Sequence, residues 1–172
     1  MLKVLTRVFR YVDVSTDLHP ETHQADFILA LDSSSTSIFI PQYTCNGHDF
    51  DMLDFSRFSL VESIVIEGNS FGSVNIFKID GLHRLKSLKI GKNSFTSLKE
   101  GNWEWKYLIN LPNSFHVLNC ESLESIEIGE YSFSDYGEFE LKNLPQLQSI
   151  ELQSFSFHWS KCVIEGSDAS FL

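Results

Sequence analysis

One 11-residue phrase, apolar-x-Ser-apolar-x-apolar-x-x-x-Ser-Phe, occurs four times in this chain: VESIVIEGNSF at 61–71, LKSLKIGKNSF at 85–95, LESIEIGEYSF at 123–133 and LQSIELQSFSF at 147–157. Its first serines are Ser63, Ser87, Ser125 and Ser149, so the copies recur every 24 residues except across one interval of 38. A phrase returning at fixed spacing restricts the fold to a stack of similar chain turns, none able to bury its apolar face alone. A shorter phrase, apolar-x-apolar-x-x-apolar, precedes each copy at Leu53/Phe55/Phe58, Phe77/Ile79/Leu82, Phe115/Val117/Cys120 and Phe139/Leu141/Leu144, and Cys162/Ile164 begin a fifth.

Within the long phrase polar and apolar residues alternate, as in Ser87-Leu88-Lys89-Ile90. Period 2 is the pattern of a strand with one buried face. It assigns Leu88 and Ile90, with Ile64/Ile66, Ile126/Ile128 and Ile150/Leu152, to a common interior. The expectation is a mainly β solenoid of four to five 24-residue coils, with parallel strands stacked about 4.8 Å apart. Residues 1–50 would form an N-terminal cap, read as a helix at Leu2, Leu5, Phe9 and Val12, a loop over 13–25, and a degenerate first strand at Ser37–Ile40. The solenoid would occupy 51–172 and carry an insertion at about 96–112. Of the fifteen phenylalanines, Phe71, Phe95, Phe133 and Phe157 share one repeat position and Phe77, Phe115 and Phe139 another, which predicts a buried aromatic spine.

The stretch Leu85-x-x-Leu88-x-Ile90-x-x-Asn93-x-Phe95 resembles the leucine-rich repeat consensus L-x-x-L-x-L-x-x-N-x-L, and Asn69 falls at the matching place one copy earlier. CESLESIEIG at 120–129 resembles the C-x-x-L-x-S-I-x-I phrase of the BspA-like branch of that family. The resemblance covers about 53–166 and implies a scaffold for protein–protein contacts, in some members at cell surfaces. This chain departs from the pattern at Tyr131 and Phe155, which replace the asparagine and interrupt the side-chain ladder that the family's asparagines make.

A net charge of −10 argues against a nucleic-acid partner, whose phosphates need clustered Lys and Arg. The charge is uneven: seven basic residues face three acids over 78–106, whereas 107–172 holds two lysines against ten acids. No apolar run approaches the roughly 18 residues of a membrane span. Lys3, Arg7 and Arg10 interrupt the apolar N-terminus, so no signal peptide is read there, and no compartment follows. Cys45, Cys120 and Cys162 form no even disulfide framework and read as small apolar, reduced residues.

The segment FILALDSSSTSIFIP at 27–41 resembles the phrase around the catalytic aspartate of pepsin-like proteases, with Asp32 as the equivalent. Ser34 stands where that phrase has glycine, and no second such segment supplies the partner carboxylate that the chemistry requires. His19 and His23 have the i, i+4 spacing of helical metal ligands, but Pro20 lies between them and no third ligand is nearby. No catalytic residue, metal site or cofactor site is therefore assigned.

Two surfaces are candidates for partner binding. Lys86, Lys89, Glu124, Glu127 and Glu151 fall at outward strand positions, where they could meet a partner or pair with one another across strands. Trp103 and Trp105 lie in the insertion, with aromatic rings that either anchor a partner or cover the flank of a coil. The leading expectation is a non-enzymatic protein-binding scaffold. The alternatives are a structural section of a longer repeat array, which would associate end to end, and a degenerate protease-like segment around Asp32.

Overall fold

The computed structural model describes residues 11–13, 33–46, 51–97 and 111–166. In chain order its strands are β1 (Tyr11–Asp13), β2 (Ser37–Ile40), β3 (Met52–Asp54), β4 (Ser63–Ile66), β5 (Ile76–Asp80), β6 (Ser87–Ile90), β7 (Ser114–Leu118), β8 (Ser125–Ile128), β9 (Glu138–Lys142), β10 (Ser149–Leu152) and β11 (Lys161–Glu165). They form two parallel sheets, ordered β1-β2-β4-β6-β8-β10 and β11-β9-β7-β5-β3, and the chain alternates between them from β2 onward. The long phrase builds the first sheet and the short phrase the second, giving a β-solenoid of about five coils. No helix occurs among the described residues.

The register follows the serines: Ser37, Ser63, Ser87, Ser125 and Ser149 are successive partners across the first sheet. The 38-residue interval therefore adds chain without shifting the ladder. The extra residues leave after Ser97, whose backbone N–H and hydroxyl both donate to Asp135 Oδ2, at 3.0 and 2.8 Å. Where the sequence predicted a helix through Val12, residues 11–13 instead form β1, paired parallel with β2. A strand there satisfies the backbone edge of β2, which a helix would leave unpaired. The other residues of that helix, and the loop over 14–25, lie outside the described residues.

Alternation places one face of each strand from β2 to β9 in a common dry interior, whereas β10 and β11 are less covered and Leu152 is 44% exposed. Ile64, Ile66, Leu88, Ile90, Ile126 and Ile128 are all at most 1% exposed. Facing them, Leu53, Phe77, Phe115, Phe139 and Cys162 are successive register partners in the second sheet. Phenylalanine fills the remaining volume as two stacked columns. Phe71, Phe95, Phe133 and Phe157 stack with centroids 5.1, 4.7 and 4.8 Å apart, and Phe77, Phe115 and Phe139 with 5.0 and 5.3 Å. The columns meet edge to face, as in Phe77–Phe95 at 82° and Phe115–Phe133 at 74°. Aromatic rings favour both offset stacking and edge contact, and each adds roughly 0.5–1.5 kcal/mol beyond its burial.

The turn between the sheets explains the rest of the phrase. Each coil bends through two left-handed residues separated by one: Asn69 and Phe71, Asn93 and Phe95, Tyr131 and Phe133, Phe155 and Phe157 all have φ between 49° and 62°. Asparagine tolerates this conformation, whereas phenylalanine normally avoids it. The ring stacks compensate for the strain. Between the left-handed pair sits a serine, buried in the first three of these corners as Ser70, Ser94 and Ser132. The Thr44, Ser70 and Ser94 amides donate to the Ser70, Ser94 and Ser132 hydroxyls at 3.1, 3.3 and 3.1 Å. The hydroxyls of Ser70, Ser94 and Ser132 donate in turn to the carbonyls of Pro41, Glu67 and Gly91. Serine thus links one coil's backbone to the next at this corner, joined in the first coil by Asn46, whose Nδ2 donates to Asn69 O and whose Oδ1 accepts the Gly72 amide, while Asn93 Oδ1 has no hydrogen-bond partner.

Candidate functional site

Parallel pairing in register forces equivalent outward side chains of the first sheet into columns, one running Glu62, Lys86, Glu124, Gln148 and the other Val65, Lys89, Glu127, Glu151. Within them Lys86 Nζ lies 2.9 Å from Glu62 Oε2, and Lys89 Nζ lies 2.6 and 2.8 Å from the two Glu127 oxygens. Each lysine has one taker. Among the described residues no cation pairs with Glu124 or Glu151, and both are exposed. The face is therefore graded, neutralised over β4 and β6 and uncompensated toward β10.

The side chains of both pairs are between one-third and just over one-half exposed. Exposed ion pairs of this kind are worth about 0–1 kcal/mol, so a competing ligand group opens them at little cost. On the second sheet, His116 Nδ1 lies 2.9 Å from Glu140 Oε2. Lys142 and Glu165 pair at 2.8 Å on the surface, and the shared hydrogen bond and charge raise the lysine pKa and lower the glutamate's. Beside them runs an amide ladder that the sequence reading passed over: Asn143 Nδ2 donates to Asn119 Oδ1 at 2.9 Å, and Asn119 Nδ2 donates to Asp80 Oδ1 at 2.8 Å. The signal was available, since these asparagines stand one 24-residue period apart.

A second feature lies at the serine corner, where Tyr131 and Phe155 replace asparagine. Their rings stack with centroids 4.9 Å apart and planes 7° apart, and Phe155 remains 45% exposed. His158 lies 5.6 Å from Phe155 and 4.8 Å from Trp159, extending the aromatic surface along the last coil. Trp159 also borders a cleft of about 580 Å³ lined by Leu111, Pro112, Asn113, Gly137 and Lys161. Tyr131 and Phe155, where two earlier copies of the repeat have Asn69 and Asn93, thus mark a surface of this molecule.

The sequence-assigned residues Lys86, Lys89, Glu124, Glu127 and Glu151 share one face, whereas Trp103, Trp105, Asp32, His19 and His23 lie outside the described residues. No group of three or more metal-ligating side chains and no helix long and apolar enough to cross a membrane occurs among the described residues. Burial raises the thiol pKa of Cys45 to about 12 and that of Cys120 to about 11, while Cys162 is exposed. Comparison with protein-family models, with curated proteins and with solved structures finds no match to this chain.

Proposed function

We propose that the chain is a non-enzymatic protein-binding scaffold whose outward face on the first sheet receives a partner presenting basic side chains. The observation that carries this reading is the graded charge of that face: Glu124 and Glu151 stand uncompensated on a frame that holds them at coil spacing. Complementary charge speeds encounter and fixes register more than it adds affinity. The exposed Tyr131–Phe155 stack at the adjoining corner offers the rigid aromatic contact that dominates interface energies. The likeness of 53–166 to leucine-rich repeats of the BspA-like branch supports the same reading, because that family commonly mediates protein–protein contacts. The tryptophans of the insertion, Trp103 and Trp105, belong to the proposal as further anchors.

The test begins with affinity capture from the native source and measures the captured partner against variants. Glu124→Lys is expected to weaken binding about tenfold with a steep salt dependence and an unchanged melting temperature. A Trp103→Ala/Trp105→Ala variant that keeps its melting temperature but loses the partner places anchors in the insertion. Equal affinity for the parent, Glu124→Lys and the double tryptophan variant would sink the proposal.

A further inference from the structure

The cleft of about 580 Å³ beside Trp159 crosses three successive coils, from Leu111, Pro112 and Asn113 before β7, past Gly137 and Glu138 at β9, to Lys161 at β11. Main-chain bonds frame it. Asn113 O accepts the Gly137 and Glu138 amides at 2.9 and 3.2 Å, and Gly137 O accepts the Lys161 amide at 2.8 Å. A Cβ at position 137 would collide with Leu111 O, so glycine is what lets these two walls approach. The volume falls within the range of about 300–1,000 Å³ typical of small-molecule sites.

The side chains around the cleft carry both signs of charge. Glu138 and Lys161 are direct register partners at the first outward positions of β9 and β11, so parallel pairing sets them about 4.8 Å apart at the backbone. Both are exposed, and among the described residues neither side chain enters an ion pair or a hydrogen bond. The Asn113 carboxamide likewise has no partner there. Trp159 is 36% exposed and, with Leu111 and Pro112, gives the cleft an apolar wall.

We infer that this cleft binds a free α-amino acid with an aromatic side chain. An α-ammonium and an α-carboxylate leave one carbon, a separation that an acid and a base on adjacent strands meet together. Glu138 receives the ammonium and Lys161 the carboxylate, each through a charge-assisted hydrogen bond, and the Asn113 amide lies within the same cleft. The ligand ring lies against Trp159 and Pro112, where aromatic contact adds to burial. A ligand with a single charge leaves Glu138 or Lys161 without a counterpart, so the mixed sign selects a zwitterion. A coil stacked beyond β11 would extend the column on the side of Lys161 away from Glu138 and would leave this pair as it is. The site lies on the second sheet and stands apart from the face-docking proposal on the first.

The probe is L-phenylalanine, compared with L-phenylalaninamide, which lacks the carboxylate as a peptide N-terminus does, and N-acetyl-L-phenylalanine, which lacks the ammonium as a peptide C-terminus does. Millimolar L-phenylalanine is expected to shift the Trp159 indole N–H resonance, assigned by its loss in Trp159→Phe, together with the Gly137 amide. Each capped compound should bind about tenfold more weakly, the scale of one hydrogen bond to a charged group. Lys161→Gln should abolish the advantage of L-phenylalanine over the amide, and Glu138→Gln its advantage over the acetyl compound, with melting temperatures unchanged. Three results overturn the inference. No shift at Trp159 and Gly137 would mean that the chain's own residues close the cleft. Equal affinity for all three compounds would mean that Glu138 and Lys161 neutralise each other. A capped compound that binds as well as L-phenylalanine would make the occupant a peptide terminus.

Discussion

The third copy of the repeat, LESIEIGEYSF, and the fourth, LQSIELQSFSF, are close in composition and adopt the same strand and the same left-handed corner. Their burial differs. Ile126 and Ile128 are at most 1% exposed, whereas Ile150 is half-buried and Leu152 is 44% exposed. The side chains are alike in size and apolarity, Ile128 being replaced only by Leu152; the neighbours differ. In a stacked array a residue's burial comes from the coils on either side, so stability is nearly a sum of nearest-neighbour contacts. Equivalent substitutions should therefore have unequal effects according to how many coils flank them.

The largest contrast is expected at the aromatic positions. Phe95 is fully buried, stacked between Phe71 and Phe133 and touched edgewise by Phe77. Phe95→Ala should cost about 3–5 kcal/mol, because the rings on either side are held by their own coils and cannot close the cavity. Phe157, its equivalent in the last coil, is 8% exposed and stacks on Phe133 alone, so Phe157→Ala should cost about 1.5–3 kcal/mol. Denaturant midpoints of the two variants decide it. Equal losses would mean that the last coil is as well packed as the middle ones.

The serine corner sharpens the comparison on a smaller scale. Ser132 is fully buried, accepts the Ser94 amide at 3.1 Å and donates to Gly91 O at 2.7 Å. Ser132→Ala leaves a buried backbone N–H without its acceptor and should cost about 1–3 kcal/mol. Ser156, its partly exposed equivalent, donates only within its own coil, to Gln153 O at 2.5 Å, and its removal should cost about 0.5–1 kcal/mol.

The thiols divide the same way. Burial holds Cys45 and Cys120 neutral in the fold, at about 12 and about 11 against an ordinary value of 9.0. The unfolded chain ionises first, so their contribution is fully present below about pH 9 and falls as pH rises toward the folded values. At pH 10 the loss should be about 1 kcal/mol per thiol. A flatter alkaline stability profile for Cys45→Ala/Cys120→Ala checks it. An alkylating reagent at neutral pH should label Cys162 and leave the other two until the protein unfolds.

The strands, their parallel stacking and the phenylalanine columns were legible in the sequence because period 2 and period 24 act on large apolar side chains whose only stable place is the interior. The outward columns were legible for the same reason, since register fixed their order. Which pairs form was not. Lys86 lies between Glu62 and Glu124 in the column, and only the geometry shows that it takes Glu62. The phrase-final serine recurred without exception, yet its hydrogen bonds run between coils, and a linear reading does not show which backbone groups face it. Asn93 matched a family pattern, but the property used at this corner is its tolerance of positive φ. The strand at 11–13 was misread because Leu2, Leu5, Phe9 and Val12 suit a helix locally, while the unpaired edge of β2 is a demand from distant sequence.

The smallest expected effect separates scaffold from binding surface. Lys89 holds both Glu127 oxygens, but its side chain is 55% exposed, so water already solvates the pair. A double-mutant cycle over Lys89→Ala and Glu127→Ala should give a coupling of about 0–1 kcal/mol that shrinks toward zero as salt rises to about 1 M, where the Debye length is about 3 Å. A coupling above about 2 kcal/mol that survives salt would mean that the pair fixes the strand register and that the face is structural. A small, salt-sensitive coupling means that Phe95 and Ser132 set the register, which leaves the charges of the face free to exchange their internal partners for external ones.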